Sequence, residues 1–172
     1  MVMGPSSLPT DLPPPDLRIL GVVPTQQMRG DEEEDSALLA EMLERARRYI
    51  SSFDWCNGVR RSYFGNGVGG IVAVFLVQII PAKKDVDEWL WIVEGDIPSA
   101  YFVTDDLKNP HDVLKTYIGY REKWVRYASK NRTPPKTLMP VDDVPPTKES
   151  AAALASRLEI LKRDILPWFR KK

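Results

Sequence analysis

The ten residues from Ile71 to Ile80, IVAVFLVQII, constrain the fold more than any other stretch of this chain. At the two-residue period of a strand, Ile71, Ala73, Phe75, Val77 and Ile79 fall on one side, and Val72, Val74, Leu76 and Ile80 on the other. A strand that is apolar on both sides has to be covered on both faces, so layers must flank it. The run is about half the ~20 residues that a membrane-spanning helix needs. It is expected to be a buried strand, with no membrane anchor.

Around this strand the pattern predicts a small α+β domain. Five acids, Asp31 to Asp35, precede Leu38, Leu39, Met42, Leu43, Ala46, Tyr49, Ile50 and Phe53, which recur at helical spacing. The acids at its start and Arg45, Arg47 and Arg48 toward its end complement the helix dipole, so the acid run reads as a solvated helix start. A short strand near Val59 to Phe64 follows, and Gly65-Asn66-Gly67 carries the Asn-Gly signal of a hairpin turn. After the Ile71–Ile80 strand, Glu88 to Glu94 reads as another, with Trp89, Trp91 and Val93 on one face and Leu90 and Ile92 on the other. Ala100 to Thr104 closes an antiparallel meander of about four strands. Asn109-Pro110 is a capping side chain followed by proline at the first helical position, and it opens a helix marked by Val113, Leu114, Tyr117, Ile118, Arg121, Trp124, Val125 and Ala128. A proline-rich connection (Pro134, Pro135, Pro140, Pro145, Pro146) leads to a last helix capped by Thr147, with Leu154, Leu158, Leu161 and Ile165 as its stripe. The expected architecture is an antiparallel sheet with one N-terminal and two C-terminal helices packed on it.

Six prolines (Pro5, Pro9, Pro13, Pro14, Pro15, Pro24) and no regular apolar spacing make residues 1 to 30 an expected flexible arm, with 31 to 172 as a single domain. The 24 basic and 24 acidic side chains of the 172-residue chain balance, which argues against nucleic acid as the partner, because phosphate affinity rests on excess Lys and Arg. The single cysteine, Cys56, forms no internal disulfide, and the first residues, MVMGPSSLPT, hold neither a basic nor an apolar signal segment. A cytoplasmic location is the expectation.

Each candidate for chemistry has a plainer reading beside it. Gly65 to Gly70 is glycine-rich, but a phosphate loop needs a helix after it, and here a strand follows. Cys56 and the sole histidine, His111, are the residue types of a thiol nucleophile and its base, but type alone is weak evidence, and a buried small side chain and a solvated first-turn histidine are the expected reading. No cofactor and no metal site is expected, since one histidine and one cysteine leave few ligands and no acid cluster has a known metal-loop spacing. The acids Asp85, Asp87, Glu88, Glu94, Asp96, Asp105 and Asp106 crowd the strand ends, either as solvated loop acids or as an acidic recognition surface. Trp89 and Trp91 are core aromatics if helices cover their face. If all helices lie on the other face, Trp89 and Trp91 form an apolar patch rimmed by Asp85, Asp87, Glu94 and Asp96, the composition of an interface hot spot.

At FDWCNGVRRSYFGNGVGGIVAVFL, EWLWIVEGDIPSAYFVTDD and RLEILKRDILPWF the chain resembles a family of small bacterial proteins to which no activity is attached. The resemblance spans about residues 38 to 170. It implies a single-domain, cytoplasmic, bacterial protein and brings no catalytic residues. Small bacterial α+β proteins without an active site include the immunity proteins that neutralise toxins, an analogy of type. The leading expectation is therefore a non-enzymatic module that binds a basic toxin domain through Asp85, Asp87, Trp89, Trp91, Glu94, Asp96, Asp105 and Asp106. The alternatives are a small hydrolase or cation-dependent enzyme using Glu94, Asp96, Asp105 and Asp106, and a structural homodimer whose sheet faces pair.

Overall fold

The computed structural model describes residues 16–138 and 144–170. One antiparallel sheet of five strands forms its centre: β1 Val23–Pro24, β2 Cys56–Val68, β3 Val72–Pro81, β4 Trp89–Gly95 and β5 Ile97–Val103. Strand order in space follows strand order in the chain, β1-β2-β3-β4-β5. Helix α1 (Glu33–Ser51) precedes β2, and α2 (Pro110–Ala128) and α3 (Lys148–Ile160) follow β5. A π-helical turn, Leu161–Ile165, joins α3 to the short α4 (Leu166–Arg170). The fold is α+β, as the order of elements predicts.

The doubly apolar strand is the middle of this sheet and is covered on both faces. Val72, Val74 and Leu76 pack with Trp91, Val93 and the α2 and α3 side chains Val113, Leu114, Tyr117, Leu154 and Leu158. Ala73, Phe75, Val77 and Ile79 pack with Leu39, Met42, Leu43, Ala46 and Ile50 of α1. Each such large side chain removed from water stabilises the fold by about 1.5–3 kcal/mol. The helices therefore sit on opposite faces: α1 on one, α2 to α4 on the other. Trp89 and Trp91 accordingly lie under helices, not on an open sheet face.

Two expectations shift at the edges of the sheet. Residues 16 to 30, expected as part of a loose arm, bury Leu20, Val22 and Met28, and Val23 and Pro24 pair with Phe64 and Tyr63 to make the fifth strand. Two paired residues leave too short an alternation for a strand to show in the sequence. The five prolines from Pro5 to Pro15, and Pro140, lie outside the described residues. The β2–β3 turn comes later than the Asn-Gly signal. Asn66 stays within β2, where a register shift lets its own side-chain carbonyl accept the N–H of Gly67 at 2.9 Å. The chain turns instead at Gly69-Gly70, with Gly70 at φ +79°, a conformation that glycine adopts without strain.

Helix ends follow the expected chemistry. Asn109 Oδ1 accepts the N–H of Asp112 at 2.9 Å with Pro110 at the first helical position, and Thr147 and Ser150 exchange a capping box. At the start of α1, Asp35 does more than face solvent. One carboxylate oxygen accepts the N–H of Asp31 and the other that of Gly69, tying the helix to the β2–β3 turn.

Candidate protein interface

β4 and β5 run in opposite directions and sort the sequence-selected acids into two groups. Asp85 and Asp87 precede β4, and Asp105 and Asp106 follow β5, so these four exposed acids share one end of the sheet. Glu94 and Asp96 lie at the opposite end, about 20 Å away at the ~3.3 Å rise of a strand residue. The expected single acidic surface is thus two separate sites. Among the described residues, no three His, Cys, Asp or Glu side chains gather to hold a metal ion.

Of the expected aromatic pair, Trp91 is 0% exposed and belongs to the core. Its indole N–H donates to the Leu107 carbonyl at 3.0 Å, satisfying the one polar group that burial would strand. This tryptophan therefore contacts no partner. Trp89 is half-buried, 5.9 Å from the ring of Tyr63, and packs on the edge of the same core.

At the far end of the hairpin, Glu94 is only 5% exposed. Its carboxylate accepts from Ser99 Oγ at 2.7 Å and from the Gly95 N–H at 3.3 Å, with Arg45 Nε 4.0 Å away. Burial pushes its pKa above the ordinary carboxylate value, and the Ser99 hydrogen bond, Arg45 and Arg48 pull back against that rise. Behind the turn, the Tyr117 hydroxyl donates to Pro98 O at 2.6 Å, and burial holds that phenol up to about 12. Asp96 is exposed and pairs with Arg157 of α3 at 3.1 Å. A cleft of about 590 Å³ opens beside it, between the end of α1 at Tyr49 and Ser52 and the α3 residues Ser150 to Arg157, floored by Ile97, Pro98 and Ser99.

Four aromatic side chains that the sequence reading did not select as a site form a cluster where α1 hands the chain to β2. Phe53 and Trp55 stack at 4.9 Å with an interplanar angle of 17°, and Tyr101 of β5 meets them edge-on at 5.2 and 5.1 Å. Tyr49 completes the group, 5.3 Å from Phe53. All four are half-buried, on the face that α1 covers. Asp54 and the four acids before β4 and after β5 are exposed at this end of the sheet, with Lys83, Lys84 and Lys108 among them.

No protein-family model, curated protein or solved structure matches the chain.

The signal for the aromatic cluster is present in the sequence. The apolar stripe of α1 runs on through Phe53 and Trp55, past the end of the helix at Ser51. The other candidate pair separates. Cys56 is buried on the α1 face, its thiol donating to Gly58 O and its pKa raised by burial. His111 starts α2 on the opposite face. It is not solvated as expected: its side chain is 13% exposed and Nε2 accepts from Arg170 Nε at 2.8 Å. Among the described residues no helix is long and apolar enough to cross a membrane.

Proposed function

We propose that this protein is a non-enzymatic protein-binding module, of the immunity type that neutralises a basic toxin domain by direct contact, and that the partner docks on the Tyr49, Phe53, Trp55 and Tyr101 cluster. The observation that carries the reading is this stacked, half-exposed aromatic group at the acid-rich end of the sheet. Aromatic rings already held by one another lose little freedom on binding, and a polar rim around such a centre is the anatomy of an interface. The exposed acids Asp54, Asp85, Asp87, Asp105 and Asp106 outnumber the lysines among them, which favours a basic partner and speeds its approach. The hydrolase alternative draws no support from Asp105 and Asp106, which are held a strand's length from Glu94 and Asp96.

A pull-down from lysate of the source cells tests this with the wild-type chain and with Trp55→Ala. A stoichiometric partner that Trp55→Ala loses, while remaining cooperatively folded at the temperature of the assay, is the expected result. Expressed alone, that partner should arrest growth, and co-expression should restore it. A partner held equally by the variant overturns the placement of the site, and a protein that comes down alone overturns the binding reading.

A further inference from the structure

The two edges of the sheet are built differently. At one, β2 is capped by the two residues of β1, is broken by register shifts between Cys56 and Val59, Val59 and Arg61, and Phe64 and Asn66, and exposes Arg60 and Arg61. These are the features by which proteins keep strands from pairing with strangers. β5, at the other edge, has such features only at its start, a register shift and Pro98; Ser99-Ala-Tyr-Phe-Val103 carries neither proline nor a charged side chain. Its pairing with β4 is regular from Val93–Ala100 to Leu90–Val103. Among the described residues no strand pairs with its outer side.

The direction of its backbone groups follows from the ladder. The Ile79 N–H donates to Glu88 O at 2.8 Å, and bonded positions recur at every second residue. Leu90, Ile92 and Glu94 therefore face β3, while Trp91 and Val93 face β5, opposite Phe102 and Ala100. Ser99, Tyr101 and Val103 turn their N–H and C=O groups away from β4. Ser99 O agrees, since it accepts from Arg121 Nη2 at 3.0 Å on that outer side. Tyr101 and Val103 remain, and Val103 is 40% exposed.

We propose that this free edge of β5 takes an extended segment of the partner as a sixth strand, apolar in its middle and bearing Lys or Arg at the end that meets Asp105 and Asp106. The proposal rests on the protein-binding reading above and names its mode. The edge offers main-chain bonds at Tyr101 and Val103, the aromatic cluster lies beside it on the α1 face, and the cleft at Ile97 to Ser99 accepts a side chain of the segment. Charge selects the occupant. Past Val103 the edge runs to the exposed Asp105 and Asp106, whereas Asp96 at the other end is already paired with Arg157. A second copy brings no basic side chain to these acids from its own β5, which carries no charge. A strand with a basic end meets opposite charge there.

The test uses the full chain and a short peptide of alternating valine and threonine with two lysines at each end. The peptide should bind and slow amide exchange at Tyr101 and Val103 by about tenfold or more. N-methylation at its alternate residues should weaken binding by about tenfold or more, as should glutamate in place of the lysines. Val103→Pro deletes an outward N–H that the fold does not use, and it should lose the peptide while keeping the melting temperature. Equal binding of the N-methylated peptide overturns strand addition and leaves the protein-binding reading standing. No binding of any peptide also overturns strand addition, and loss or retention of the lysate partner by Trp55→Ala then decides that reading separately. Dimerisation without peptide that Val103→Pro abolishes would assign the edge to a second copy instead.

Discussion

Glu94 keeps a carboxyl group out of water with a hydroxyl, one N–H and a guanidinium for company. Because burial raises its pKa in the folded state, the folded chain takes up this proton more readily than the unfolded chain does. Its contribution to stability is therefore largest at acid pH. It declines as pH rises from the ordinary value of 4.5 through the higher folded value. Glu94→Gln should remove that decline, so that the stability difference between variant and wild type grows in the variant's favour with rising pH. Urea unfolding at a series of pH values reads this directly, and two parallel curves would contradict it. Trp91 and Trp55 make the matching contrast for aromatic side chains. Trp91→Ala should cost about 3–5 kcal/mol as a cavity opens under α2, while Trp55→Ala at the half-exposed cluster should cost clearly less. Which tryptophan is which was not legible from spacing alone. The alternation puts Trp89 and Trp91 on one face of β4, but only the placement of helices on both faces says that this face is closed.

Elements were most legible where side-chain chemistry acts locally. The Asn109-Pro110 start of α2 and the Thr147 cap of α3 stand where the sequence places them, because a capping oxygen needs only its own next turn. Thr147→Ala should accordingly lower stability by about 1 kcal/mol in denaturant titration. The β2–β3 turn was misread for the complementary reason. Asn66-Gly67 suits a turn by itself, but β3 pairs with β2 through Asn66, Gly67 and Val68, and that ladder carries the strand past the local signal. A tertiary constraint also decides Gly95, between β4 and β5. A Cβ there would stand 2.2 Å from the Ile71 carbonyl oxygen, a backbone atom with little room to move. Gly95→Ala should disturb the Glu94 and Asp96 end of the hairpin and lower the melting temperature, whereas Gly119→Ala, where a Cβ meets nothing within 4 Å, should raise helix stability slightly.

At the scale of the molecule, residues 16 to 30, before α1, are part of the fold. Leu20 and Val22 join the core under α2, and Met28 joins the one under α1. A chain shortened to begin at Asp31 should lose at least about 3 kcal/mol, measurable as a lower urea midpoint. An unchanged midpoint would mean that these three side chains contribute nothing. The layered α+β plan was legible from the doubly apolar strand, since it demands cover on two sides. The half-burial of the Tyr49, Phe53, Trp55 and Tyr101 cluster was not, although its apolar residues are visible, because it depends on where the sheet ends, and that is decided by pairing between distant segments. The order of the strands has one more consequence. Each of β3, β4 and β5 pairs with the strand made just before it, so those pairings form during synthesis without a distant partner, whereas β1 waits across α1 for β2 to emerge from the ribosome. The α1 face can close as soon as β5 is out, and the second face only when α2 and α3 arrive, so the growing chain shows Trp91 and its neighbours to chaperones for as long as those helices take to be made.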